Sequence, residues 1–139
     1  MKKLQSLFFI LISLIVTHVS AQDTYKHPHL NSSGHVLDST GTQLGWIKDG
    51  EIFNAKGEKM GKIEKKVLFD QKGRKLGKIG KNGTFYDSNG AVMFTIEPNS
   101  KGEKCKIFDP QGKVIATVHE SYKNQACAFH CLKVNMPPH

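Results

Sequence analysis

The chain has 139 residues, 20 Lys and Arg against 12 Asp and Glu, a formal net charge of +8 and three cysteines. That length suits one domain with a modest core. Past the N-terminal apolar run nothing is hydrophobic enough to cross a bilayer, so no transmembrane span is expected.

Lys2 and Lys3 precede the apolar run Leu7 to Val16, and Val19-Ser20-Ala21 puts small residues at the cleavage-determining positions. This is the pattern of a secretory signal peptide over residues 1–21, with an apolar core shorter than the roughly 20 residues of a membrane anchor. The protein is therefore expected to be exported, to a periplasm or outside the cell, and fold reasoning starts at Gln22. No Cys at the cleavage site offers a lipid attachment point. Removing 21 residues leaves 118, and losing Lys2 and Lys3 brings the charge near +6.

Residues 22–34 are polar and lack period, which reads as a flexible lead-in. His27 and His29 flank Pro28, and in such a tail they read as solvated rather than as metal ligands.

A single domain is expected over 35–134, built from five copies of one unit. Val36-Leu37-Asp38-Ser39-Thr40-Gly41 is followed by Leu44-Gly45-Trp46-Ile47, and Ile52-Phe53-Asn54-Ala55-Lys56-Gly57 by Met60-Gly61-Lys62-Ile63. The third copy runs Leu68-Phe69-Asp70-Gln71-Lys72-Gly73 to Leu76-Gly77-Lys78-Ile79. The fourth runs from Phe85-Tyr86-Asp87 through Gly90 to Met93-Phe94-Thr95-Ile96, and the fifth from Ile107-Phe108-Asp109 through Gly112 to Ile115-Ala116-Thr117-Val118. The turn acids or amides are spaced by 16, 16, 17 and 22 residues.

The chemistry of each turn is legible. The side chains of Asp38, Asn54, Asp70, Asp87 and Asp109 can accept from the backbone amide two residues on, and Pro110 suits the second position of a type I turn. Gly41, Gly57, Gly73, Gly90 and Gly112 then take the left-handed conformation that completes a bulged hairpin. One carboxylate per turn is too few for a calcium loop.

Between units, Asp49-Gly50 and Asn82-Gly83 predict two-residue hairpin connections. Ten short strands would then form an antiparallel meander, an all-β fold with almost no room for helix. The wide last spacing places an insertion over 97–104, the expected protruding loop. In each second strand the Leu or Met and the following Ile or Val lie three apart, which puts them on opposite faces unless a bulge intervenes. The small residues Gly45, Gly61, Gly77 and Ala116 permit such a bulge or a close backbone approach, with Phe94 the exception. A lone hairpin is marginal in water, so the units must share a core, and a closed pseudo-five-fold ring hides their edges.

Between Lys56 and Lys81 stand ten Lys or Arg against Glu58, Glu64 and Asp70. Most of these cations fall on turns and alternate strand positions and read as a solvated face that discourages edge pairing. With Trp46, the repeat positions Lys62 and Lys78 make a candidate surface for an anionic polymer, a glycan or an envelope component; nucleic acid is disfavoured as a partner.

The segment from Ala126 to Val134 alternates weakly and favours a closing strand over a short helix, with a tail at 135–139. Cys105, Cys127 and Cys131 are expected to give one disulfide, Cys105 to Cys127 or to Cys131, and one leftover thiol. A zinc site from His119, Cys127, His130 and Cys131 has suitable ligand types but a spacing that matches no familiar module. A Cys131 nucleophile with His119 or His130 as base needs a meeting that the spacing does not show.

The five units behind a signal peptide resemble the secreted five-fold β-flower family of Bacteroidetes-type bacteria, over roughly Val36 to Val118. The resemblance implies five hairpins about a pseudo-five-fold axis, and it carries no catalytic residue and no cofactor. Since no carboxylate pair, Ser-His pair or metal constellation converges in the sequence, the expected function is that of a non-catalytic interaction or structural module. The alternative is a small metal- or thiol-dependent enzyme on the Cys/His tail.

Overall fold

Each Asx-x-x-Gly turn folds as its first side chain dictates. In the computed structural model, which describes residues 26–132, Asp70 Oδ1 accepts from the amides of Lys72 at 2.8 Å and Arg74 at 2.9 Å. Gly73, at φ 82°, donates to the Asp70 carbonyl at 3.0 Å. The turns at Asp38, Asn54, Asp87 and Asp109 repeat these bonds. The expected signal peptide, residues 22–25, Lys133, Val134 and the tail at 135–139 lie outside the described residues.

These turns pair ten of the eleven strands, of which β1 (His29–Leu30), β2 (His35–Leu37), β3 (Gln43–Lys48), β4 (Glu51–Asn54), β5 (Lys59–Glu64) and β6 (Val67–Asp70) come first. Then follow β7 (Lys75–Ile79), β8 (Thr84–Asp87), β9 (Val92–Ile96), β10 (Cys105–Phe108) and β11 (Val114–Val118). Strands β2 to β11 form an antiparallel meander, and the sheet closes into a barrel through β1. The all-β ring expected from the repeats is thus the fold, closed within one chain. In a meander with an odd number of strands the first and last run the same way, so closure demands one parallel pair. That pair is β1 with β11, with His29 opposite Thr117 and Leu30 opposite Val118.

The lead-in expectation therefore needs correction. His29 and Leu30 are fully buried strand residues. Asn31-Ser32-Ser33-Gly34 is a sixth Asx turn, with Asn31 Oδ1 accepting from Ser33 and His35 amides at 3.0 Å. A two-residue strand stays ordered here because sheet neighbours on both sides satisfy its backbone. A second correction concerns Asn82-Gly83. The connection is a four-residue turn, Gly80 to Gly83, in which Gly83 alone takes positive φ and donates to Gly80 O at 3.1 Å. The extra residue accounts for the 17-residue spacing.

Each hairpin carries one bulge. Ile52 pairs with Gly61 and Phe53 with Lys59, leaving Met60 as the extra residue, and the other four hairpins shift at the same place. The bulge resets the inside–outside phase, so Leu44, Met60, Leu76 and Met93 pack against the core although each lies three residues before an inward residue. Inside the wall Val36, Ile52, Leu68, Ile79, Phe85, Phe94, Ile107 and Val118 form one cluster. Phe85 and Phe94 meet at 5.0 Å between ring centroids.

Five hairpins enclose more space than their own side chains fill, and the C-terminal segment occupies it. A 3-10 helix, Glu120–Gln125, crosses one end, and α1 (Ala128–Cys131) enters the barrel. Ala126, Cys127, Ala128 and Phe129 are fully buried. The small inner residues make room for it: a Cβ on Gly45 would lie 2.9 Å from Leu132 Cδ2, and one on Gly61 3.1 Å from Cys131 Sγ. The His130 ring lies 5.8 Å from that of Phe85. The expected closing strand at 126–134 is thus a helical plug over its described part. Surrounded by wall strands that already pair with one another, this segment satisfies its backbone internally, as Leu132 N does on Ala128 O at 3.1 Å.

Candidate binding surfaces

The residue after each inner small residue faces outward, because side chains alternate along a strand. These residues are Trp46, Lys62, Lys78 and Thr117, with Thr95 after the inner Phe94, and across the ladder Trp46, Lys62, Lys78, Thr95 and Thr117 meet Phe53, Phe69, Tyr86, Phe108 and His29 respectively. From β3 to β8 the result is a belt of Trp46, Phe53, Lys62, Phe69, Lys78 and Tyr86, one per strand. Trp46 stacks on Phe53 with centroids 5.6 Å apart and planes at 22°. Lys62 Nζ sits 5.6 Å over the Phe69 ring and 3.6 Å from Glu64 Oε2. The rings are half-buried and Lys78 is exposed. From Phe53 onward, aromatics recur on every second strand, about 10 Å apart at the usual strand spacing.

On the far side the belt ends in the β1/β11 seam. Here the His29 Nδ1 lies 2.7 Å from Thr117 Oγ1, and its Nε2 3.8 Å from Glu103 Oε1. Burial pushes the imidazole below its usual pKa, against the pull of Glu103 and with the help of Lys104 and His119.

The two barrel ends differ. One carries the five Asx turns of the hairpins. The other carries Asn31 to Gly34, Asp49-Gly50, Lys65-Lys66, Gly80 to Gly83 and the 97–104 loop, and the 3-10 helix covers it. Glu120 N donates to Gly102 O at 2.8 Å, Gly102 N to Glu120 Oε1 at 3.1 Å, and Lys123 Nζ to Ser100 O. A cavity of about 580 Å³ opens on one side of this helix, between Ser32, Ser33, Lys48, Asp49, Tyr122 and Gln125. A smaller one of about 220 Å³ opens on the other, with Lys66, Lys81, Asn82, Glu97, Asn99 and Lys123 on its wall.

The tail residues do not assemble. His119 accepts from Ser121 N at 3.1 Å and caps the 3-10 helix, while Cys127, His130 and Cys131 belong to the plug. Among the described residues no group of three or more His, Cys, Asp or Glu is arranged to hold a metal. All three cysteines are buried free thiols, so the expected disulfide is absent. Cys105 begins β10 and its thiol donates to Gly102 O at 3.7 Å, whereas the other two lie within the plug. Burial pushes the Cys127 thiol up, and burial with the Asp70 charge pushes Cys131 up to about 11. Both are protonated at neutral pH, and a thiol nucleophile requires the thiolate.

Sequence reasoning missed the Asn31 turn, whose Asx-x-x-Gly signature was present, and the Lys65-Lys66 turn, which has no turn residue to announce it. A family model described as 5-fold beta-flower protein matches residues 15–108, ending within β10. No curated protein and no solved structure matches the chain.

Proposed function

The chain belongs to the 5-fold beta-flower family, and on that footing we propose that it is a non-catalytic, exported interaction module that binds an anionic glycan along its outer belt. The observation that carries this reading is the alternation of rings and lysines on β4 to β8, extended by Trp46 on β3. Ring faces stack on the C–H face of a sugar, and ammonium groups between them donate to its carboxylates or sulfates. An aromatic period of about 10 Å, set by the strand spacing, is comparable with the length of a disaccharide. The raised thiols of Cys127 and Cys131 lend the thiol-enzyme alternative no support.

An array of neutral and anionic polysaccharides, run at two salt concentrations, tests the reading. Retention of anionic members that weakens as salt rises, and that falls about tenfold or more in Trp46→Ala, is expected. Retention indifferent to salt, or unchanged in that variant, contradicts it. Export makes its own demand: the protein recovered outside the cytoplasm should begin at Gln22, and an intact Met1 there would contradict cleavage.

A further inference from the structure

Four connections at the capped end perform the same backbone task. The carbonyls of Gly34, Gly50, Lys66 and Gly83 each accept from the amide of the Ile that ends the neighbouring repeat: Ile47, Ile63, Ile79 and Ile96, at 2.7 to 2.9 Å. All four acceptors have positive φ, at 81°, 78°, 67° and 80°. Three are glycine, which adopts this conformation without steric cost. The fourth is a lysine, preceded by a second lysine, Lys65, at φ 51°. Backbone folding alone favours glycine at position 66, as its three equivalents show. Strained non-glycine residues cluster at ligand clamps and active sites.

Lys66 stands on the wall of the 220 Å³ cavity, together with Lys81 and Lys123. Among the described residues the one carboxylate on that wall, Glu97, accepts from Lys106 N at 3.2 Å. Asn82, Asn99 and Asn124 add side-chain amides that can donate. Three cations against one engaged carboxylate, in a recess closed below by the Gly80 to Gly83 turn and above by the 3-10 helix, suit a compact dianion with several acceptor oxygens. We infer that this cavity is a binding site for a phosphate or sulfate group, separate from the belt, and that Lys66 is retained at a glycine position to serve it. Lys123 is already donating to Ser100 O, so it adds field more than a flexible contact, and Lys66 and Lys81 close on the anion.

The test titrates inorganic phosphate into the purified, isotopically labelled protein against chloride at equal ionic strength. Saturable amide shifts confined to Lys66, Gly83, Asn99 and Lys123 are expected. Lys66→Gly should melt at or above the wild-type temperature while binding phosphate at least tenfold more weakly. Lys81→Ala, at an exposed position, should weaken binding as well. Lys72→Ala at the opposite end and Trp46→Ala on the belt should bind as wild type, which separates this site from the glycan reading. Shifts that grow without saturation and spread over all lysines, or an affinity unchanged in Lys66→Gly and Lys81→Ala, would overturn the assignment. Repeating the titration with a sulfated monosaccharide tells a free anion from a group carried on a sugar: tighter binding than phosphate makes the cavity a sugar-sulfate subsite, and equal binding makes it a free-anion site.

Discussion

The two ends of the barrel solve the same chain-reversal problem with unequal regularity. At one end, five turns repeat a single solution, with Oδ1-to-amide distances of 2.8 to 2.9 Å in every copy. At the other, the Asn31 turn repeats that solution once, the remaining four connections use four different sequences, two cavities open, and a helix crosses them. The uniform end is what hairpin geometry requires of any such ring. The variable end, with the belt between them, is where the chain's sequence is not repeated, and it is there that both proposed binding surfaces lie.

Breaking the packing that both ends share has the largest expected effect. Phe129 is fully buried in the plug, and Phe129→Ala should cost about 3–5 kcal/mol in a denaturant titration, since the enclosed site cannot collapse. A loss below about 1 kcal/mol would mean that the wall holds without its plug, because surface substitutions fall in that range.

At the uniform end a smaller, sharper contrast is expected. Gly73 has no atom within 4 Å of a built Cβ, so Gly73→Val tests backbone conformation alone. Forcing a β-branched residue to φ 82° should cost about 1–2 kcal/mol or more, whereas Lys72→Val next door should change little. Equal denaturation midpoints for the two variants would break the assignment of the turn.

The smallest effect comes from acid. Hydrogen bonds from the Arg74 amide, then the Arg74 side chain, hold the Asp70 carboxyl below its ordinary value; at Asp38 the Thr40 side chain leads. A depressed folded pKa means that the stabilisation is complete above the unfolded value near 3.8 and is lost as pH falls through the folded one. Asn54 makes the same turn without a titrating group. Asp70→Asn should therefore keep the turn at neutral pH and flatten the acid limb of stability. At the seam the sign is the same but the window is higher: His29 is depressed from 6.5, so the seam's contribution is complete above 6.5 and declines below it. An unaltered acid limb in Asp70→Asn would assign that limb to other groups.

How much of this could be read beforehand follows the same division. The five turns, the bulges beside Gly45, Gly61 and Gly77, and the closed all-β ring were legible because each rests on short-range backbone chemistry repeated in one chain. His29–Leu30 was not, since two residues show no period and owe their order to partners 88 residues away. The plug was not either. In the few residues from Ala126 to Cys131, periods of 2 and 3.6 are hard to tell apart, and the choice of helix is made by a lumen that only the assembled wall creates. Lys66 carries no turn signal, because its conformation is imposed by the neighbouring repeats. Whether cysteines pair depends on where burial places them, which spacing does not encode.

The division of labour between the ends and the belt can be read in one experiment, the mapping of backbone amide shifts during titration with a sulfated polysaccharide at low salt. Perturbations at Trp46, Phe53, Lys62, Phe69, Lys78 and Tyr86, with silence at Gly73, Gly90 and Gly112, are the predicted result. Shifts distributed evenly over the five Asx turns, or none on the belt, would contradict it.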